Sequence, residues 1–526
     1  AKWTPNAKLS VTPSLFYQQV KSDGMDVSRQ NWGVNQTDQL LREPGKDSIL
    51  VPSLTIGYDL GKADITSVTS YYRRQFDRTQ DGQAANSAYI GPWLIGEPAG
   101  LTAPAGLGDA VAALPSAVIL NNGVRQFSQE LRIASKGYDG TGSPVVWLAG
   151  VYYAHLKTRV TDNEPVYGIN ATFAKYGASP ADPNVLAGAY ANDFPNDNAY
   201  FSERRYDETQ TALFGEASYY FSPTLRVTAG ARQIRAKEVL DRDGDFFFAG
   251  GPQHSSFTGD YKKVTPKFAV SWDVDKNNTL FASATQGFRL GGANRPIPMS
   301  ICGNDLKNLG INAQPQTFDS DSLWSYEVGN KSRWLEGKLT FNGSLFYVKW
   351  KNIQQDVVLP CTFDFEGNFG EATSYGAEVE ARYKATPNLT VSVFGGYTHA
   401  ALDQDVSALG AKSGDPLIGV PTWNSAISGE YRIPTSRGYN GFVRGAVRWV
   451  GSSHGSIDTS NIDYSRPAYH IVDASVGATF GTWDVSLFAK NLLNDKTIIQ
   501  QPYVQYQTEA LRPRPRTLGI NFSARL

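Results

Sequence analysis

No stretch of this chain approaches the run of about eighteen apolar residues that a membrane-crossing helix needs, so helical spans are excluded. Cysteine is nearly absent: Cys302 and Cys361 are the whole supply, which rules out a cysteine-built zinc cluster. The five histidines, His155, His254, His399, His454 and His470, are scattered without metal-ligand spacing. An excess of one charge is missing too. Lys and Arg number 49 and Asp and Glu 50, leaving a formal net charge of -1 and no electrostatic case for a nucleic-acid partner. H-E-x-x-H does not occur, and no nucleophile elbow between a strand and a helix is expected. The Gly-rich run Tyr138–Ser143 lacks the lysine of a phosphate loop and reads as a turn, so nothing asks for an enzyme.

What the chain does hold is a β-rich composition, with Gly 50, Tyr 27, Phe 26 and Trp 11 in 526 residues. The stretch Lys262–Trp350 sets the unit: two alternating runs joined by the polar turn Asp273–Asn278, then a long loop rich in Gly, Pro and Asn. Alternation recurs along the chain. Leu389, Val391, Val393 and Tyr397 oppose Thr390, Ser392 and Phe394, while Trp483, Val485, Leu487 and Ala489 oppose Asp484, Ser486, Phe488 and Lys490. A soluble antiparallel sheet alternates as well, so the connections carry the argument. Short turns alternate with long loops at about Lys21–Asp47, Asp77–Gly123, Thr161–Glu208, Lys237–Asp260, Leu290–Ser322, Gln354–Thr373, Ala400–Pro421, Gly451–Tyr469 and Asp495–Arg516. Long structureless loops are uncommon in compact soluble domains, and tight turns at one rim with long loops at the other mark an outer-membrane barrel.

The expectation is therefore an all-β fold, a transmembrane antiparallel β-barrel occupying residues 1–526 as one domain. About eighteen strands run from Leu9 to Leu526, after a stub at Ala1–Thr4. Glu130, Arg132, Arg226, Arg232, Glu378, Glu380, Arg382, Arg444, Arg448, Asp484 and Lys490 fall on the inward face. A wall of both signs suits water or a polar plug and not a dry core. Tyr71, Tyr72, Tyr152, Tyr153, Tyr219, Tyr220, Trp324, Trp334, Trp350, Trp449 and Trp483 lie near strand ends and read as interfacial girdles.

Several phrases, RQFSQELRIAS (Arg125–Ser135), VTPKFAVSWDVDKNNTLFASATQGFRLGGANRP (Val264–Pro296), LWSYEVGNKSRWLEGKLTFNGSLFYVKWKNIQ (Leu323–Gln354), SYGAEVEARYKATPNLTVSVFGGYTHA (Ser374–Ala400), LFAKNLLNDKT (Leu487–Thr497) and PRTLGINFSARL (Pro515–Leu526), occur in order over almost the whole chain. In this the chain resembles the barrel of TonB-dependent outer-membrane receptors. The resemblance implies a 22-stranded barrel of which about eighteen strands are visible here, with a plug and a TonB box preceding it. It also implies the outer membrane of a Gram-negative bacterium, TonB as partner through that plug, the lipid bilayer and lipopolysaccharide around the wall, and no cofactor. The implied function is active uptake of a scarce large nutrient, a ferric siderophore first, with cobalamin or oligosaccharide as alternatives. A passive eighteen-stranded porin-like channel competes with it, and would require Leu9–Gln19 to pair along its length with Thr517–Leu526. Such barrels usually end in an aromatic residue, where this chain has Leu526.

Candidate site residues cluster in the loops. Cys302 and Cys361 sit in neighbouring loops on one rim and suit a disulfide in an oxidising compartment, two free thiols being the other reading. Phe246, Phe247 and Phe248, then His254, with Phe363 and Phe365, are expected as exposed aromatics that contact ligand, lipopolysaccharide or one another. Arg289, Asn294 and Arg295 end a strand at the mouth, where a polar or anionic ligand is held or a loop packs against the wall. His254 and His454 are candidate but poor metal ligands. Asp241, Asp243 and Asp245 form a weak calcium candidate, since their Gly stands at position four where an EF-hand loop needs it at six.

Overall fold

The computed structural model describes residues 2–24, 27–29, 33–96, 100–188, 194–361, 363–435, 439–459, 461, 463–500 and 509–524. Part of the turn Ile433–Asn440, part of the loop Asp495–Arg516, and residues Ala1 and Leu526 lie outside them. The alternating runs form one sheet of 18 strands. In chain order these are β1 (Leu9–Ser22), β2 (Gly45–Asp59), β3 (Ala63–Asp81), β4 (Ala117–Ser135), β5 (Val145–Pro165) and β6 (Asn198–Ser222). Next come β7 (Leu225–Asp245), β8 (Gln253–Asp275), β9 (Asn278–Arg289), β10 (Asp321–Trp334), β11 (Leu339–Lys351) and β12 (Glu371–Lys384). The last six are β13 (Leu389–Leu402), β14 (Trp423–Pro434), β15 (Tyr439–Val450), β16 (Tyr469–Phe480), β17 (Trp483–Lys490) and β18 (Thr517–Ala524). Each is antiparallel to its sequence neighbours, as a meander of hairpins must be.

Turns at one rim are as short as Pro223–Thr224 and Lys276–Asn277, while the other rim carries loops with helices at Leu107–Ala112, Ile169–Lys175 and Met299–Asn308 and a hairpin, Gln354–Val358 against Asp364–Asn368. Two expected loops are corrected. Most of Lys237–Asp260 is strand: β7 continues to Asp245 and β8 starts at Gln253. Likewise β5 reaches Pro165 and β6 begins at Asn198, which shortens the loop expected at Thr161–Glu208. Polar outward residues give these strand ends the look of loops in the sequence. A strand needs only about 9–11 residues to cross the bilayer, and its extension beyond has no lipid to face.

Outward faces are apolar between two aromatic rows. Trp147, Tyr219, Trp272, Trp334 and Trp483 are exposed near the short-turn rim, and Tyr71, Phe127, Tyr153, Tyr347 and Tyr375 are exposed further up. The girdle reading is corrected for half of each adjacent pair, because successive residues of a strand point to opposite faces. Tyr152 and Tyr220 turn inward, under the guanidinium groups of Arg232 and Arg226, and Trp350 turns inward beneath Arg289. The lumen wall carries ion pairs of both signs: Lys267 Nζ to Glu216 at 2.7 Å, Arg444 to Glu430 at 2.8 Å and Arg448 to Asp473 at 3.1 Å.

Among the described residues β1 pairs along its length with β2 and, through Val11 alone, with Trp3 of the stub, and β18 pairs with β17, so the full-length ladder that a closed eighteen-stranded channel requires is absent. Beyond the Trp3 bridge both edges are bare, with Leu15 72 % and Leu518 70 % exposed. Above this seam the adjoining loops meet, Val27–Arg29 pairing with Glu509–Leu511.

Candidate ligand-contact site

Five loops on the long-loop rim pool their apolar side chains into one core. Leu107 and Val111 come from residues 82–116, Ile169 and Phe173 from 166–197, Phe247 from 246–252, Leu306 from 290–320, and Leu359 and Phe365 from 352–370. This folded cap is the reason the loop aromatics are not where the sequence placed them. Phe247 and Phe365 are each 1 % exposed, Phe248 and Phe363 are buried, and Phe246 is half-buried. Clustered rings in water are costly, and with several long loops at hand they bury one another.

A disulfide joins Cys302 to Cys361, with Cα atoms 5.4 Å apart, tying the helix Met299–Asn308 to the neighbouring hairpin loop. Both sulfurs sit inside the cap core.

The three mouth residues hold loops in place. Arg289 Nε donates to Asp321 Oδ2 at 2.8 Å and its guanidinium lies over Trp350, whose Nε1 donates to the same carboxylate at 3.0 Å. Asn294 Nδ2 donates to Pro315 O at 3.0 Å and Glu366 O at 2.7 Å, while its Oδ1 accepts from Glu366 N at 2.7 Å. That amide is fully committed to joining one loop to the hairpin Gln354–Asn368. Arg295 pairs with Asp364 and lies over the Phe363 ring.

The calcium candidate is corrected by secondary structure. Asp241, Asp243 and Asp245 lie at alternate positions of β7, where same-face residues stand about 6.7 Å apart and cannot wrap a cation with oxygens at about 2.4 Å. Asp243 is moreover held by Arg205 at 2.6 Å and His254 Nδ1 at 2.7 Å, and Asp245 accepts from Phe246 N. His454 sits in a separate loop, its Nδ1 donating to Tyr464 O at 3.2 Å. No group of three His, Cys, Asp or Glu able to hold a metal occurs among the described residues. Gly451–Gly455 has the letters of G-x-S-x-G, yet Ser453–His454 pairs with Ser465–Arg466 in a loop and no helix follows among the described residues.

Beneath the cap lies a layer that sequence reading missed. Inward positions of β5, β6 and β7 bring Asp162, Arg204 and Arg242 together, and Arg295 enters from the loop above, around a cavity of about 50 Å³. Arg204 and Arg242 are direct cross-strand partners, an unfavourable like-charge pairing. The Nε atoms of Arg78, Arg204, Arg242 and Arg295 are buried with no hydrogen-bond partner among the described residues. Arg242 donates through its terminal nitrogens to the Ala293 and Asn294 carbonyls and Arg295 pairs with Asp364, but the unbonded Nε–H groups leave room for a polar or anionic group. The signal in the sequence is the continued even-numbered spacing past Tyr153, masked by the polar, loop-like residues on the outward face of these strand ends.

Fold, lipid belt and polar lumen define a class: a bacterial outer-membrane β-barrel. Comparison with known proteins makes this specific. The chain belongs to the family described as TonB dependent receptor-like, beta-barrel, which matches residues 1–492. A metal-pseudopaline receptor of Pseudomonas aeruginosa is 23 % identical over 325 residues, covering 61 % of this chain and 42 % of that protein. A ferric-pyoverdine receptor of Pseudomonas sp. strain M114 is 26 % identical over 352 residues, covering 64 % and 40 %. The match thus spans about two-fifths of the length of these curated relatives. Among solved structures, the ferric yersiniabactin uptake receptor of Yersinia pestis superposes with a TM-score of 0.73 at 16 % identity, over 98 % of this chain and 68 % of that one, and shares the fold.

Proposed function

We propose that this chain is the wall and loop cap of a TonB-dependent transporter that takes up a scarce metal complex, a ferric siderophore first, across the outer membrane. The observation that carries the reading is the cap itself: a disulfide-tied lid of five loops over a wide, charged lumen. A diffusion pore has no use for a folded lid with its own core. A receptor that must hold a large ligand and exclude small solutes does. Receptors for metal-pseudopaline and ferric-pyoverdine among the relatives support a chelated metal over cobalamin or oligosaccharide. The unbonded Nε–H groups of Arg204, Arg242 and Arg295 would meet an anionic chelate below the cap, although Arg295 also pairs with Asp364 and the terminal nitrogens of Arg242 donate to the Ala293 and Asn294 carbonyls. TonB would act through a plug, a separate gate that the charged lumen wall is suited to surround. The mixed-charge wall and the unpaired edges of β1 and β18 favour this over an eighteen-stranded porin.

The test is growth of a deletion strain complemented with the full-length gene, on iron complexes, cobalamin and oligosaccharides as sole limiting nutrients. Rescue on one or more ferric chelates is expected. Rescue only on cobalamin or an oligosaccharide would replace the cargo, and a growth pattern identical to the deletion strain on every nutrient would reject uptake.

A further inference from the structure

Arg204 on β6 and Arg242 on β7 face each other directly across the strands on the lumen side, roofed by Ala249, Arg295, Pro296 and Phe363 of the cap. Like charges so placed destabilise a sheet unless an anion lies between them. Elsewhere on this wall the chain supplies the anion itself: Arg159 and Arg205, direct partners on the outward side, have Glu203 at 2.7 Å and 3.0 Å. The inward pair has no such carboxylate. Among the described residues the Arg204 guanidinium makes no hydrogen bond or ion pair. Arg242 spends its terminal nitrogens on the Ala293 and Asn294 carbonyls, which tie the wall to a cap loop but bring no full negative charge.

The space that the pair borders is built for a small guest. Three buried Nε–H groups, of Arg204, Arg242 and Arg295, reach its lining without a partner. Two carboxyl groups belong to the lining as well. Asp243 is engaged by Arg205 at 2.6 Å and His254 at 2.7 Å. Burial pushes the Asp162 carboxyl above its usual range, against the pull of Arg204, Arg295 and Arg78. Its Oδ1 is buried without a partner, so when protonated it donates to an anion instead of repelling one. Arg295 has Asp364 as its counter-charge, whereas Arg204 and Arg242 keep theirs.

We propose that this cavity binds one small oxoanion, phosphate- or carboxylate-sized, which bridges Arg204 and Arg242 of the wall to Arg295 of the cap and so fastens the cap to the barrel. Guanidinium forks favour paired oxygens over a halide. The volume of about 50 Å³ compares with about 10–15 Å³ for one water, so it takes a single such group and a chelate enters only by one anionic arm. A free inorganic anion and a carboxylate arm share this chemistry. An anion that binds only the docked cap slows its opening about a hundredfold at one hundred times the Kd. The inference goes beyond uptake and stands without it, since wall and cap are its only premises.

The purified full-length protein, in detergent and chloride, is titrated with inorganic phosphate, sulfate or acetate at constant ionic strength, and amide exchange is followed in residues 242–255 and 290–298. At least one oxoanion should slow exchange there saturably, by about tenfold or more relative to chloride. A response to phosphate or sulfate identifies a free inorganic anion and a response to acetate alone a carboxylate; either supports the site. Arg204→Gln/Arg242→Gln should keep the barrel's melting temperature and lose the response. Ser255→Leu, which fills the cavity while both arginines stay, should lose it too. Arg235→Gln, on the outer surface and paired with Asp260 at 2.6 Å, should respond as the unaltered protein does. Exchange that no anion slows, that chloride slows equally, or that still responds in the double Gln variant would overturn the proposal. Growth and uptake are not read, so that failure would leave the cargo reading standing.

Discussion

The cap depends on a few residues whose removal should be felt locally. The Cys302–Cys361 bridge closes a span of 59 residues, for which the chain-entropy account gives about 4 kcal/mol. Cys302→Ser with Cys361→Ser should therefore leave the barrel's melting temperature unchanged while amide exchange speeds up in residues 299–308 and 354–368. Unaltered protection there would mean that the cap core alone holds the loops. Glu366 gives a pH signature. Burial first, and the Asp356 carboxylate facing it across the hairpin second, push its carboxyl above the usual range. The folded cap then binds the proton more tightly than the unfolded loop. Its contribution is fully present below the unfolded value and lost as pH rises through the raised one. Exchange corrected for intrinsic rate should show residues 354–368 better protected at pH 4.5 than at pH 7, and Glu366→Gln should shrink the difference to the part owed to Asp356, whose carboxyl burial also raises. The same scale explains what was hidden in the sequence. Phe247 and Phe365 carry no local sign of burial, because their partners lie in loops far away in the chain. The roles of Arg289 and Asn294 were half legible: the mouth position was read, but whether they face ligand or neighbour depends on Asp321 and Glu366, which only the fold brings near.

A strand is the next unit, and its two faces answer to different solvents. Leu213 on β6 faces lipid within the belt, so Leu213→Arg should cost about 2–4 kcal/mol in a refolding titration into vesicles. Ser344 on β11 points into the lumen opposite Glu378, and Ser344→Lys should stay within about 0.5 kcal/mol. Equal costs would contradict the assignment of faces. Strands within the belt were readable because lipid enforces period two on them: the Leu389–Tyr397 and Trp483–Lys490 faces stand as the alternation placed them. Above the belt the enforcement ends. Lys237, Asp241 and Asp243 on the outward face of β7 look like loop residues, although Ala236 and Leu240 face a packed interior. This is also why the layer of Asp162, Arg204 and Arg242 escaped notice.

At the scale of the molecule, wall, cap and seam point one way. A sheet edge cannot face hydrocarbon, since each unpaired N–H and C=O costs several kcal/mol, so β1 and β18 need partners in the membrane. Further strands and a gate inside the lumen would meet both that need and the charged wall. The meander and its two unequal rims were legible from loop lengths alone, whereas the cap was not, being a tertiary structure of loops. Energised uptake through this wall is tested most directly by the initial rate at which cells expressing the full-length protein accumulate labelled iron from the chelate that supports growth. Uptake should be saturable and fall to the level of the deletion strain when TonB is removed. Undiminished uptake without TonB would contradict that expectation.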